Sequence, residues 1–339
     1  MTTISVFRIA SSFLCIALCL VSKLSAYSIV FIHIGPELPS HLSTSIEQAR
    51  LFNEECSIFL IANERALKQA DFLERNRVTV VPCESLKQSV LHTNFITNPD
   101  LNWGYDGLFI YSSERFFYLE ELMQQYNLCD VFHLESDVML YADLKDLLPV
   151  FKKRYQGMIG AIFEHDRRCV PSFLYVSNLD PIAELIRFYP KTVHVLQSDM
   201  ETLADFKNAY CKVFIDHLPI VVPEYANDHL LEIEGVPSKE PECYSNLIDE
   251  FGVIFDGAAW GIYLAGWDPR WHPDIGGTVS EYCVFKASFF NLDWKVDHKG
   301  RRIPLVSYKG KQIPIVNLHI TNKSKIKSFY SLSNLEQRR

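Results

Sequence analysis

Positive charge is in short supply in this 339-residue chain: 33 Lys and Arg stand against 41 Asp and Glu, for a net charge of −8. Nowhere do basic residues gather into a run able to track a nucleic-acid backbone, which argues against nucleic acid as a partner. Paired cysteine spacing is missing as well. Of the nine cysteines, Cys15 and Cys19 fall in a leading apolar segment and the other seven are scattered, so neither a zinc site nor a disulfide framework is indicated. The apolar run over residues 9–21 follows Arg8 and, at about 13 residues, falls short of the roughly 20 that a relaxed spanning helix needs. With Lys23-Leu24-Ser25-Ala26 behind it, residues 1–26 read as a signal peptide, with a short membrane anchor as the second reading. That places the chain in the secretory pathway or at a membrane. The odd number of unpaired cysteines points the other way, to a reducing cytoplasm.

What is present is ample core and many rings. Hydrophobic residues make up 48% and aromatics 13% of the chain, enough for one large α/β domain over residues 27–330 with a short tail at 331–339. Ser28 to Gly35 is a continuous, β-branched apolar run, as expected of a strand buried on both faces. Pro36 and Pro39 break it, and Ser40 can cap a helix from Leu42 to Asn53. Cys56 to Ala62 and Val78 to Pro82 read as two further strands, with a helix over Glu64 to Glu74 between them. This alternation is how a doubly wound nucleotide-binding sheet is written, with ligands beyond the carboxyl ends of the strands. His33, Gly35 and Glu84 stand at such ends. Ser113 to Tyr126 reads as an amphipathic helix capped by Ser113, with Arg115 in its first turn, where a cation works against the helix dipole and so has a use elsewhere.

The most informative stretch is Asp130 to Tyr141, where apolar residues run into Glu135, Ser136 and Asp137 and then resume. Two carboxylates in apolar surroundings are expensive to bury unpaired. On an extended strand, residues two apart share a side, so Glu135 and Asp137 can face one Mg2+ or Mn2+, hard cations that take oxygen ligands and bridge to phosphates. Further along, Asp256 sits among small residues in Phe255-Asp256-Gly257-Ala258-Ala259-Trp260-Gly261, either at a ligand or as the cap of a following helix. Trp260, Trp267 and Trp271 crowd one segment and suit either sugar stacking or a satellite core. A strand over Ile313 to His319 ends in histidine and is followed by Asn322, Lys323 and Lys325.

The stretch Val131-Phe132-His133-Leu134-Glu135-Ser136-Asp137, with Asp143-Leu144 opening the next helix, resembles the acidic DxD-like motif of nucleotide-diphospho-sugar transferases of the GT-A fold, especially their glycogenin-like and galactosyltransferase-like group. It departs in having Glu135 where that family usually has Asp. The spacing of His319 and Lys325 resembles the family's carboxyl-terminal motif, with Asn322 in place of a glycine and able to take left-handed geometry. The resemblance covers roughly residues 28–325. It implies a single large domain with a Rossmann-like mixed sheet flanked by helices, a nucleotide-binding half over residues 27–141 and an acceptor side over 142–330. It further implies Glu135, Asp137 and His319 as ligands of Mn2+ or Mg2+, and His33, Gly35, Arg115, Ser136 and Lys325 around a nucleotide-sugar donor. Asp256 would act on the donor or acceptor sugar, and Trp260 and Trp267 would meet an acceptor that could be carbohydrate, lipid or protein. The expected activity is hexosyl transfer, the rivals being an inactive secreted carbohydrate-binding protein and a sugar nucleotidyltransferase. The last would show a glycine-rich, lysine-bearing loop where His33-Ile34-Gly35-Pro36-Glu37 stands.

Overall fold

A computed structural model describes residues 26–68, 71–98, 107–192, 198–270, 272 and 275–332. The leader expected at 1–26 and Trp271 lie outside the described residues, apart from residue 26. Among the described residues no helix is long and apolar enough to cross a membrane.

A seven-stranded mixed sheet forms the centre. Its strands are β1 (Ser28–His33), β2 (Ser57–Ala62), β3 (Val78–Pro82), β4 (Val131–Leu134), β6 (Ile159–His165), β7 (Arg168–Val176) and β8 (Ile215–His217), arranged 3-2-1-4-7-6-8. Between β4 and β6 the chain also forms β5 (Val138–Leu140). Strands β1 to β4 run parallel, β7 opposes both its neighbours, and β6 and β8 are parallel. Six of the seven strands therefore point their carboxyl ends the same way, with β7 the exception. The runs with no polar alternation became the strands covered on both faces: Ile29, Val30, Phe31, Phe132 and Leu134 are all fully buried. His133 is buried among them. Its Nδ1 meets the Val30 carbonyl at 3.1 Å, and burial pushes its imidazole down to about 3, so it sits neutral in the core.

The chain builds β1 to β3 outward on one side and then returns to lay β4 against the free edge of β1. That reversal opens a crevice at the carboxyl ends of β1 and β4, the usual ligand position in such sheets. Helix α1 (Leu42–Phe52) starts at His41 rather than from a Ser40 cap. The helix expected over Glu64 to Glu74 is two short turns, Glu64–Leu67 and Phe72–Arg75. After α2 (Val90–Ile96), helix α3 spans Leu108–Tyr126, starting five residues before the expected Ser113, so that Arg115 lies in its second turn. Helix α4 (Leu144–Arg154) begins where Asp143 accepts from the Lys145 N–H at 3.0 Å. Helices α5 (Leu179–Thr192) and α6 (Asp199–Ala209) follow β7.

The single strand expected over Ile313 to His319 is divided. The ribbon β9 (Glu232–Ile233) and β10 (Val236–Pro237) comes first, then a separate antiparallel sheet of β11 (Asn291–Val296), β12 (Arg302–Tyr308) and β13 (Lys311–Pro314). Strand β14 (Asn317–His319) leaves that sheet and pairs antiparallel with β5, placing His319 opposite Val138. The last helix relevant to the crevice, α7 (Ala259–Ala265), packs beside β14.

Candidate functional site

Strand β4 stops at Leu134, and the Val138 N–H returns to the Glu135 carbonyl at 3.2 Å, closing a four-residue turn. Glu135 and Asp137 thus flank a turn at the crevice and do not alternate along one extended strand. The turn is held from α1: Ser45 Oγ donates to the Ser136 carbonyl at 2.7 Å, and His41 Nε2 lies 3.1 Å from Ser136 Oγ. Burial pushes the His41 imidazole down to about 4, keeping it neutral beside Lys323. The pairing of β14 with β5 brings in His319, and the Ile320 N–H donates to the Asp137 carbonyl at 3.0 Å.

The side chains converge oxygen by oxygen. His319 Nε2 lies 3.5 Å from Glu135 Oε2 and 3.4 Å from Asp137 Oδ1. The other oxygen of each acid faces a cationic side chain: Arg115 pairs with Glu135 Oε1, and Lys323 Nζ lies 3.3 Å from Asp137 Oδ2. One ligand atom from each of Glu135, Asp137 and His319 fits within a mutual span of 4.8 Å. Neighbouring ligands of a hard cation with bonds of about 2.1 Å lie about 3 Å apart, so a small inward adjustment would close the three atoms on Mn2+ or Mg2+.

The imidazole is prepared for such a role. Its Nδ1–H donates to the Gly257 carbonyl at 2.6 Å, which leaves Nε2 to face the acids. With no cation, burial opposes protonation, yet Asp137 and Glu135 outweigh it and raise His319 to about 10. A cation on Nε2 would therefore displace a proton. Both acids stay ionised: burial alone would raise them, but Arg115 and His319 lower Glu135, and His319 and Lys323 hold Asp137 far below the usual carboxylate range.

Several residues expected around a substrate have other engagements. Arg115 is buried and spans Glu135 and Asp199, so its charge orients an acid rather than standing open to a donor. Lys325 Nζ donates to the Ala265 carbonyl at 3.0 Å, at the carboxyl end of α7, and it is Lys323 that reaches the acids. Asn322, expected in left-handed geometry, has φ −79° and is buried, its amide donating to the same Ala265 carbonyl at 3.2 Å.

Asp256 is 1% exposed and accepts the N–H groups of Trp260 and Gly261 at 2.9 Å each and of His319 at 3.0 Å. Burial raises it to about 7 against those donors. It ties α7 to β14, which is the helix-cap alternative of the sequence reading, and both its oxygens already accept backbone N–H groups. Gly261 permits this join, since a Cβ there would lie 1.8 Å from the His319 carbonyl oxygen. Trp260 is fully buried, its ring 4.8 Å from Phe285 and 5.0 Å from Phe290, so it belongs to the core and cannot meet an acceptor. Trp267 is half-buried and rests against His272 at 4.8 Å.

At the end of β1, His33 Nε2 lies 2.7 Å from the Glu37 carbonyl, and the Gly35 N–H donates to Asn63 Oδ1 at 2.8 Å. Asn63 in turn donates to Glu84 at 3.2 Å. Asn63 and Glu84 line a cavity of about 450 Å³ together with Cys83, Leu86, Gln88 and Tyr118 at the carboxyl ends of β2 and β3. Sequence reasoning missed His41 and Lys323. Lys323 stood two residues from the expected lysine, whereas His41 carried no local signal.

Neither a family model nor a curated protein matches the chain. Solved structures do match. Mouse xyloside xylosyltransferase 1 superposes with a TM-score of 0.43 at 12% identity over 64% of this chain and 93% of that one. The galactosyltransferase LgtC with donor and acceptor sugar analogues gives 0.39 at 14% identity over 58% and 76%. A cytidylyltransferase from Leptospira borgpetersenii gives 0.35 at 12% identity over 57% and 75%. These scores do not separate transferases of sugars from transferases of nucleotides, and the chemistry must come from the side chains of the site.

Proposed function

We propose that the chain is a glycosyltransferase that moves a hexose from a nucleotide diphosphate sugar, a UDP-sugar in the first instance, to an acceptor hydroxyl. The observation that carries this reading is the convergence of Glu135 Oε2, Asp137 Oδ1 and His319 Nε2 at the crevice where the sheet reverses its strand order. A bound Mn2+ or Mg2+ there would supply a Lewis acid for the leaving diphosphate.

The chain's own residues divide the remaining work. Arg115 holds Glu135 so that one oxygen stays aimed at the centre. Ser45 and His41 fix the turn between the two acids. Lys323, about a third exposed and already beside Asp137, is the cation able to meet a departing phosphate, a role the sequence had suggested for Lys325. The cavity beside Asn63 and Glu84 offers room for the nucleoside, and Trp267 an apolar face for a sugar ring.

The test is to incubate purified protein with a panel of nucleotide sugars, with and without acceptor. Slow donor hydrolysis that EDTA abolishes and Mn2+ or Mg2+ restores is the expected result. Intact donors throughout the panel, with sugar binding indifferent to nucleotide and metal, would establish a carbohydrate-binding protein instead.

A further inference from the structure

Glu164 is the next-to-last residue of strand β6, at the same end of the sheet as the acidic turn, and it is 1% exposed. Its Oε1 accepts the N–H groups of Ala258 at 2.7 Å and Ala259 at 3.0 Å. Asp256 takes the next two, from Trp260 and Gly261. Two buried carboxylates thus satisfy four successive N–H groups at the start of α7, groups that a helix cannot satisfy itself.

The first of these bonds has a particular partner. The Ala258 N–H and the Gly257 carbonyl belong to one planar peptide unit, in which donor and acceptor point in opposite directions. At one edge of that unit sits Glu164 Oε1, and at the opposite edge the Nδ1–H of His319 donates to the carbonyl at 2.6 Å. The carboxylate packs directly on this unit, since a Cβ on Gly257 would lie 2.9 Å from Glu164 Oε1. Many metal-binding histidines donate their second nitrogen to a carboxylate or carbonyl, which fixes the tautomer and strengthens the ligand. Here a peptide is interposed between the two.

We propose that Glu164 is a positioning residue for His319, acting through the Gly257–Ala258 peptide to hold Nδ1 protonated and Nε2 turned toward Glu135 and Asp137. The proposal rests on the cation reading of the site. Bonds in series polarise one another, so the negative carboxylate makes the Gly257 carbonyl a better acceptor as well as fixing its direction. Both N–H groups use Oε1 of Glu164, while Oε2 lies 3.4 Å from Arg168 Nε, so glutamine can keep its carbonyl on the two N–H groups while losing the charge and the contact with Arg168, whereas alanine removes all three.

The experiment measures Mn2+ affinity and the His319 Nδ1–H resonance in the full chain. Glu164→Ala should weaken Mn2+ binding by about 10- to 100-fold, the range typical of lost outer partners. Glu164→Gln should retain affinity within a few-fold, while its Nδ1–H, observed without metal, exchanges with solvent faster than in the parent. Val306→Ala, a buried change in the separate β11–β13 sheet, should lower stability and move neither readout. If Glu164→Ala fails to fold, the exchange rate in Glu164→Gln decides. Unchanged Mn2+ affinity in Glu164→Ala, or unchanged exchange in Glu164→Gln, overturns the relay. A parent protein that binds no Mn2+ would instead sink the cation reading, and the metal-free exchange rates would still judge the relay.

Discussion

Two pairs of carboxylates lie near His319, and they are used in opposite ways. Asp256 gives both oxygens to backbone N–H groups and Glu164 gives them Oε1, five bonds in all, while Glu164 Oε2 lies 3.4 Å from Arg168 Nε; both act as fasteners. Glu135 and Asp137 receive no such donors among the described side-chain bonds. Each gives one oxygen to a cationic side chain and keeps the other for the space shared with the imidazole. Burial and an acidic residue are common to both pairs. What separates a structural acid from a ligand is whether the backbone has already claimed its lone pairs.

The comparison is tested most severely by exchanging each acid for its amide. Asp137→Asn should lower turnover by about 1000-fold or more, because several kcal/mol of charge stabilisation is lost with the ligand, while the melting temperature stays near that of the parent. Asp256→Asn should do the reverse in kind. An amide NH2 would face backbone N–H groups, costing about 1–3 kcal/mol of stability, with a smaller effect on turnover. Near-normal turnover in Asp137→Asn, or a catalytic collapse without loss of stability in Asp256→Asn, would dissolve the distinction.

The two lysines sharpen it further. Lys323→Ala should weaken UDP affinity by roughly 10-fold, on the scale of one lost charge-assisted bond of about 1.5 kcal/mol or more. Lys325→Ala should leave that affinity alone and cost stability through the lost bond to Ala265. Isothermal titration of UDP with Mn2+ reads both, and an unchanged constant in Lys323→Ala removes that residue from the site.

The smallest effect is on stability against pH and involves a different buried cluster. His92 of α2 lies between Glu114 and Glu121 of α3 at 3.2 and 2.9 Å. Burial opposes its charge, but the two glutamates prevail and raise it to about 9. A raised folded-state value contributes stability that is complete below the ordinary histidine range near 6.5 and is lost as pH rises through about 9. Urea unfolding at pH 6, 7.5 and 9.5 should therefore show the parent losing more than His92→Asn over that window; parallel losses would mean that the pair of glutamates does not hold a charged imidazole.

Local patterns carried much of the architecture. The unbroken apolar runs of β1, β2 and β4 announced strands covered on both faces, because nothing polar interrupts Ile29 to Ile32 or Val131 to Leu134 except a histidine that burial keeps neutral. The acidic interruption at residues 135–137 marked the crevice for the same reason, since two charges do not enter a core without partners. Errors arose where one pattern fits two structures. Ser113 reads as a cap or as an interior helix residue, and Trp260 as a platform or as core; packing against Phe285 and Phe290 chose the latter.

By itself, then, the sequence determined an α/β chain with an acid pair at a strand end and a histidine near its tail, because hydrophobic periodicity and the cost of burying charge are local properties. Only the tertiary structure decided which partners those groups have. The pairing of β14 with β5 sets His319 against Asp137 across about 180 residues of chain, and it turns Lys323 toward the acids and Lys325 away. The cap of α7 by Asp256 was one of two readings its neighbours allowed and packing chose it, whereas the arrival of Glu164 from β6 at the same group of N–H donors is a circumstance that no stretch of neighbouring residues encodes.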